Sequence, residues 1–175
     1  MRKSVLVVLV LGLFSIPLFA QDFPKAEVFG GYQFLHLGLP SGVPSQNMNG
    51  WNASLTGNFN KWFGVTADFS GDYKTISGVD VRTYTYTFGP TVAYRQGPIT
   101  PFFHALFGGA HFSASALGTS GSDNGFAMYV GGGVDAKVAP HIAVRLGQAD
   151  WLYYRVSGVN QSNSVRYSAG VVFRF

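Results

Sequence analysis

His111 and Ser113 are the residues whose types and spacing could support covalent chemistry in this chain. Two residues apart in an extended segment, they would project from one strand face, where an imidazole could activate the hydroxyl as a nucleophile. Such catalysis also needs an acid that orients the imidazole. The nearest acid, Asp123, lies in a Gly- and Ser-rich stretch, and Glu27 is the only glutamate. We therefore favour a non-enzymatic role and keep hydrolysis by this pair as an alternative.

A second group of charged residues alternates with apolar ones, which predicts that they share the polar face of successive strands. Charges removed from water need partners, so we expect Arg–carboxylate pairs to cross the interior of the fold. Such a network can be a structural polar core, or it can line a gated small-solute pore. The expected members are Glu27, Asp68, Asp135, Lys137, Arg145, Arg166 and Arg174.

Other kinds of site have little support. Cysteine is absent, which excludes disulfides and thiolate metal sites. His36, His104 and His141 lie in separate segments without metal-ligand spacing, and the glycines at 131–133 lack the strand–loop–helix setting of a phosphate loop. The net charge of +4 comes without a basic cluster. We expect no metal, no cofactor and no nucleic acid.

Period-two alternation defines the elements that must position these side chains. Seven of the eight predicted strands have one apolar face. The strand at Pro101–Ser113 is apolar on both faces, so the sequence does not fix its register. Keeping Gln148 and Asp150 inward requires a bulge near Gly147, and Pro90 predicts a bulge or a local kink. The eight predicted strands cover residues 27–37, 51–59, 63–70, 83–94, 101–113, 126–138, 142–155 and 164–175.

The connections alternate in length. Those at 60–62, 95–100 and 139–141 are short, whereas those at 38–49, 74–80, 113–125 and 156–164 are longer and rich in Gly, Ser, Asn and Asp. Charged residues make up 11%, about half the usual share. Short turns on one side, long loops on the other and low charge are typical of a transmembrane β-barrel. A soluble lipocalin-like barrel, the alternative, would turn its apolar faces inward.

Aromatic side chains fall at both ends of the predicted strands, as in the girdles that sit at headgroup depth. The predicted interfacial aromatics are Trp51, Phe59, Trp62, Phe63, Tyr84 and Tyr94.

The first residues predict a secretory signal peptide over 1–20, with a basic start, an apolar run and Ala20 at the cleavage site. A transmembrane helix is the alternative, but the apolar run stops near Phe19, short of the roughly 20 residues that a span needs. The barrel domain would then cover 21–175.

The segments 26–32, 49–54 and 167–175 resemble the small outer-membrane β-barrel family, which includes the transmembrane domain of outer membrane protein A. The resemblance implies an all-β, eight-stranded antiparallel up-and-down barrel, here without a peptidoglycan-binding domain. It also implies that the aromatic last strand serves as an assembly signal for the barrel assembly machinery and periplasmic chaperones. The residues of that signal are Tyr167, Val171, Phe173 and Phe175.

The resemblance further implies a monomer secreted to the outer membrane, in contact with its lipid and lipopolysaccharide. We expect a structural or surface-interaction role in which the barrel presents four outer loops to a ligand that the sequence does not identify. The alternatives are a narrow small-solute channel and a lipid A-modifying enzyme, because lipid A deacylases share the His-x-Ser spacing. A truncated gene product is a further alternative, against which the well-formed last strand argues.

Overall fold

Eight antiparallel strands close into a barrel in the computed structural model, which describes residues 23–38, 45–76, 79–116, 119–156 and 159–175. Each strand pairs with its neighbours in sequence, and β1 pairs with β8. The predicted eight-stranded up-and-down barrel is therefore confirmed, while the predicted signal peptide lies outside the described residues. The strands are β1 Ala26–Leu37, β2 Gln46–Asn58, β3 Phe63–Ile76, β4 Val79–Ala93, β5 Ile99–Ala116, β6 Thr119–Ala139, β7 Ile142–Val156 and β8 Val159–Arg174.

The seam between β1 and β8 closes the sheet from Glu27, opposite Arg174, to His36, opposite Val165. At the end where β1 begins and β8 ends, here called the inner end, the Phe175 backbone N–H donates to the Ala26 carbonyl at 2.8 Å. Hydrocarbon offers no hydrogen-bond partner, so a sheet can cross it only if every edge is paired in this way. The opposite end, with the four hairpins, is the outer end.

The two faces of the sheet are those of a membrane barrel. In β2, Asn52, Ser54 and Thr56 are buried in the lumen, whereas Trp51 and Leu55 are exposed on the outside. A soluble barrel has the opposite arrangement, with apolar side chains inside and polar ones in water. Within the described residues, no helix is long and apolar enough to cross a membrane.

The structure resolves the register of β5, which the sequence left open. His104, Leu106 and Ala110 are buried in the lumen, whereas Phe103 and Phe107 are exposed on the outside. Both faces are apolar because the outer half of the lumen is itself apolar, so hydrophobicity does not distinguish the faces of this strand.

The predicted bulge in β7 is confirmed. The pairing of β7 with β8 shifts register between Arg145 and Gln148, and the two residues between them, Leu146 and Gly147, are both exposed. This extra outward residue restores the alternation, so Arg145, Gln148 and Asp150 all face the lumen.

Of the bulge or local kink predicted at Pro90, the structure shows no bulge, although the β4–β5 pairing is interrupted at Gly89 and Pro90. The pairing of β4 with β5 has the same offset at Phe88, opposite Phe107, and at Thr91, opposite His104. The missing N–H of Pro90 is accommodated without an inserted residue, and Pro90 remains paired with Val65 on the β3 side.

The hairpins at the outer end extend past the membrane. β5 has 18 residues and β6 has 21, whereas crossing the hydrocarbon takes about 9–11. Ser122, Asp123 and Asn124 lie beyond the outermost exposed aromatic of β6, Phe126, and are exposed. The β5–β6 hairpin therefore stands above the membrane as a polar two-stranded ribbon.

Leu55 tests which face meets lipid, because it is exposed halfway along β2 between Trp51 and Phe59. We expect Leu55→Arg to destabilise the barrel by about 2–4 kcal/mol relative to Leu55→Ala, since Arg at the bilayer midplane is costly. Phe59→Arg relative to Phe59→Ala should cost only about 0–1 kcal/mol, because Phe59 lies at the strand end. Urea unfolding in lipid vesicles measures both differences, and equal costs at the two depths would contradict the assignment.

Candidate functional site: the lumen

One arginine occupies the centre of the lumen. Arg166 on β8 pairs with Asp68 on β3 at 2.8 Å and with Asp150 on β7 at 2.6 Å, and its side chain is fully buried. Its guanidinium also lies 4.5 Å from the ring centre of Tyr129 on β6. Two carboxylates on opposite sides satisfy one cation, so this contact joins β3 to β7 and β8 across the barrel.

Polar side chains also form hydrogen bonds with the two central carboxylates, those of Asp68 and Asp150. Asp150 lies 2.8 Å from His104 Nε2, and Gln148 Nε2 donates to it at 2.7 Å. Asn52 Nδ2 donates to Asp68 at 2.9 Å. Each charge thus has hydrogen bonds in addition to its ion pair, which a buried ion pair needs to offset its desolvation.

Towards the outer end, Gln33 holds a further carboxylate. Its Nε2 lies 2.8 Å from both oxygens of Asp72, and its Oε1 lies 3.4 Å from Arg166 Nη1. Gln33 therefore connects Asp72 to the central arginine.

A second charged group fills the inner end of the lumen. Arg145 pairs with Asp135 at 2.8 Å. Glu27 pairs with Arg174 at 3.0 Å and with Arg95 at 3.1 Å. Arg174 also lies 3.5 Å from Asp135, so the five side chains form one connected cluster.

Two aromatic rings clamp the guanidinium of Arg145. The ring centres of Phe29 and Phe102 each lie 4.2 Å from its Cζ. Arg145 Nη1 also donates to Gln148 Oε1 at 2.6 Å, and the amide of Gln148 donates to Asp150. Gln148 therefore joins the inner and central groups into one network along the barrel axis.

The outer half of the lumen is closed by an apolar plug, in which Tyr129 and Tyr154 bring their hydroxyls to 3.0 Å from each other. The edge of the Phe112 ring also meets Tyr154 there, with ring centres 5.6 Å apart. The plug comprises Leu35, Met48, Leu106, Ala110, Ala127, Tyr129, Leu152 and Tyr154.

A smaller apolar cluster lies at the inner end. Val172 packs there with Phe29 and Ala143, which explains why Val172 is the one apolar residue on the polar face of β8.

The cavity found among the polar side chains of the lumen is small. A cavity of about 10 Å³ lies among Glu27, Thr56, Arg95, His104 and Arg145 in the inner half. That volume holds about one water molecule. Side chains therefore fill the described lumen, as expected for a barrel of eight strands.

The structure brings six of the seven predicted network residues together in the lumen. Lys137 is the exception, because its side chain is exposed to water near the inner end of β6. It lies directly opposite Ala143, whose side chain is buried in the lumen, so the inward face predicted for Lys137 agrees with the register. At this depth the inward face has reached the inner mouth of the barrel, and Lys137 does not join the buried network. The six are Glu27, Asp68, Asp135, Arg145, Arg166 and Arg174.

Four ionisable members of the network were absent from the expected list. Asp150 was predicted to face inward but was not counted as a partner of Arg166. Asp72 continues the polar face of β3 beyond Ser70, so a longer strand would have included it. His104 was missed because the register of β5 was open. Arg95 lies in a turn, where alternation gives no direction, and its side chain folds back to Glu27 and to Asn58 Oδ1 at 2.8 Å.

His111 and Ser113 lie on the outward face near the outer end of β5, away from the lumen network. His111 Nδ1 lies 2.8 Å from Asn124 Oδ1, directly across the β5–β6 pair. Asp123 precedes Asn124 and alternation places it on the opposite face of β6. The contact described for the imidazole is therefore with an amide, whereas a catalytic triad uses a carboxylate at this place.

The predicted interfacial aromatics lie at the two ends of the barrel. At the outer end, Trp51 Nε1 donates to the Tyr73 hydroxyl at 3.2 Å, and Tyr73 donates to Tyr84 at 3.3 Å. At the inner end, the rings of Trp62 and Tyr94 are 5.1 Å apart. Phe59 and Phe63 are exposed at the same end.

The described residues contain no group of three His, Asp or Glu side chains that could hold a metal ion. The lumen carboxylates are instead paired with arginine, histidine and amide side chains.

Comparison with known families identifies this architecture. A family model described as the outer membrane protein beta-barrel domain matches residues 6–175. The chain belongs to this family. No curated protein matches the chain.

Solved structures share the fold at low sequence identity. Ail, the attachment invasion locus protein of Yersinia pestis, is 20% identical with a TM-score of 0.65, covering 87% of this chain and 99% of its own. Neisserial surface protein A is 19% identical with a TM-score of 0.70, and the alignment covers 86% of this chain and 97% of that protein's chain. OprG from Pseudomonas aeruginosa is 11% identical with a TM-score of 0.57, and the alignment covers 87% of this chain and 96% of the OprG chain. These outer membrane proteins support the same location for this chain, and their names denote no enzyme.

Arg166 should be the most sensitive position in the lumen. We expect Arg166→Gln to destabilise the barrel by about 3–5 kcal/mol, because Asp68 and Asp150 would remain buried without their cation. Combining it with Asp68→Asn and Asp150→Asn should recover part of the loss. Urea unfolding in vesicles provides the measurement.

Arg82→Gln is the matched control for Arg166→Gln, since Arg82 is exposed on the outward face of β4. Its effect should stay within about 0.5 kcal/mol. A similar effect of the two substitutions would mean that the central pairs do not hold the barrel together.

The His111–Asn124 contact predicts that His111→Ala leaves lipid A unchanged. Mass spectrometry of lipid A from cells that express the wild type, the variant or neither protein should give three identical acylation patterns. Acyl-chain loss with the wild type alone would restore the hydrolase alternative.

Proposed function

We propose that this outer membrane barrel is a surface-interaction scaffold, in which a rigid, plugged barrel presents its outer hairpins to the environment. The observation that carries the proposal is the filled lumen, with Arg166 fully buried at its centre and a cavity of about 10 Å³. A pore for small solutes needs a continuous polar path, and the apolar plug around Tyr129 and Tyr154 opposes one.

The outer hairpins supply the surface for this role. The β5–β6 ribbon rises above the membrane and exposes Ser122, Asp123 and Asn124, and the β7–β8 hairpin exposes Asn160 and Ser162. These side chains offer hydrogen-bond donors and acceptors with little net charge. Loops held by a rigid scaffold are where recognition commonly lies, which favours a partner bound mainly through hydrogen bonds.

The similarity to Ail adds a second kind of partner to test. The structure of Ail has been solved in complex with sucrose octasulfate, a heparin analogue. This chain exposes Arg82 and Arg155 near its outer end, and a sulfated saccharide would find cations there. The identity between the two chains is 20%, so the likeness carries the fold and only suggests the ligand.

The last strand supports the proposed role in assembly through the barrel assembly machinery and its chaperones. Tyr167, Val171, Phe173 and Phe175 are all exposed on the outside of β8, in period two. An assembly factor could therefore read them before the seam with β1 closes. Secretion with a signal peptide, a monomeric barrel and contact with outer-membrane lipid and lipopolysaccharide belong to the same proposal.

Planar bilayer recording tests the scaffold against the channel. We expect the folded wild type to give no conductance steps, and Arg145→Gln to give none either, because the plug around Tyr129 remains in place. A porin in the same bilayers serves as the positive control. Reproducible steps with the wild type that increase in Arg145→Gln would support the channel instead.

Surface labelling tests the orientation on which the scaffold role depends. The chain has no cysteine, so single variants can be labelled without background. Ser122→Cys should react with a membrane-impermeant maleimide in intact cells, whereas Lys61→Cys, in the β2–β3 turn, should react only after lysis. The reverse pattern would put the hairpins in the periplasm and remove the proposed role.

A further inference from the structure

A groove runs along the outside of the barrel at the β7 bulge. It has a volume of about 460 Å³, and its lining is mostly apolar. Its floor is made of small residues, Gly147, Ala149 and Ala169, and its walls include Leu146, Tyr32 and Tyr167. Large apolar side chains such as Phe69, Phe88 and Phe107 project from other outward positions. At the bulge, the adjacent small residues of β7 and β8 leave a furrow between the larger side chains that flank it.

The depth of the groove places it in the outer leaflet. Tyr32 at its upper end lies directly opposite Trp51 of the outer girdle, and Tyr32 Oη donates to Asn49 Oδ1 at 2.6 Å. Leu146 and Gly147 at its lower end lie at the bulge, further towards the inner end of β7. A furrow that descends from headgroup depth into hydrocarbon matches the path of a lipid chain.

A cation lies above the groove on the same strand face. The outward face of β7 continues from Ala149 through Trp151 to Arg155, which is exposed. Six residues of strand span about 20 Å. At a tilt of about 40° this corresponds to a vertical rise of about 15 Å, which is half the thickness of a bilayer's hydrocarbon core. The residues across from Arg155 are Phe126 on β6 and Asn160 on β8, both uncharged.

We propose that this groove binds one acyl chain of lipid A, the anchor of lipopolysaccharide, while Arg155 pairs with a lipid A phosphate. The guanidinium lies on the headgroup side of the apolar furrow, as the phosphate of a lipid lies on the headgroup side of its acyl chains. A phosphorylated lipid of the outer leaflet has both parts, whereas a free phosphate has no chain to fill the furrow. The site rests on the contact with lipopolysaccharide proposed above and locates it on the lipid-facing wall. It does not require the hairpins to bind a partner, so the two proposals can fail separately.

Native mass spectrometry of the folded, detergent-purified barrel tests the proposal with hexa-acylated bis-phosphorylated lipid A. We expect one tightly bound lipid A per barrel, and weaker binding of the same lipid A without phosphates. Ala149→Trp, which fills the furrow, should weaken binding at least about tenfold, or 1.4 kcal/mol. Arg155→Gln should weaken it roughly fivefold, as expected for one cation near a membrane surface.

Two variants on the other side of the barrel control for general effects. Ala53→Trp places the same bulk on the outward face of β2, and Arg82→Gln removes an exposed cation from the outward face of β4. Both should bind lipid A like the wild type. Equal losses in these controls, or unchanged binding in Ala149→Trp, would overturn the proposal.

The wild type can also be tested without substitution. A lipid A probe with a photoreactive acyl chain should cross-link to residues 146–149 and 167–169. Cross-links spread evenly around the barrel would overturn the site, as would a wild-type dimer that Ala149→Trp dissociates, because the furrow would then be an interface between two copies. Heat-modifiable migration in electrophoresis verifies that each variant is folded, and Ala169→Leu replaces Ala149→Trp if the latter is not.

Discussion

The pairing of Arg166 with Asp68 and Asp150 is the interaction on which the interior of this barrel depends. Three charges buried without solvent are costly, and they become tolerable only when each finds its counterion and hydrogen bonds. The partners come from β3, β7 and β8, so these strands must bring their polar faces to the same depth of the lumen. A shift of one residue would turn every side chain of a strand to the other face and leave a charge unpaired. The ion pairs therefore specify the register of the barrel more than they add to its stability.

The kind of side chain that fills the lumen changes along the barrel axis. Guanidinium, carboxylate and amide groups fill the inner and central parts, and tyrosine, leucine and methionine fill the outer part. Arg145 between Phe29 and Phe102, and Arg166 beside Tyr129, show how the two kinds of contact are combined, since each guanidinium meets carboxylates at its edge and a ring at its face. The barrel thus has a packed core like that of a soluble protein, although its outer surface faces lipid.

The strands and most of the inward charges follow from the sequence, because a sheet with one polar and one apolar face has a period of two. The bulge in β7 also followed, since Arg145 and Asp150 could not both face inward without it. The prediction failed where alternation carries no information about direction. β5 is apolar on both faces because it contributes to the plug, and Arg95 projects from a turn. Lys137 has the inward parity, but it lies at the barrel mouth, where an inward side chain reaches water. The furrow beside Ala149 could not be predicted, since it depends on which outward residues of β1, β7 and β8 become neighbours in the closed sheet.

The seam between β1 and β8 has a consequence for the order in which the barrel can close. It joins Glu27 to Arg174, on the first and last strands of the sheet. Until these two strands pair, the sheet has two open edges, and open edges pair readily with other chains. Contacts between residues so distant in sequence also form slowly, because a long loop must close first. Every incomplete form of this barrel is therefore exposed to mispairing, and only the last pairing to form removes that risk.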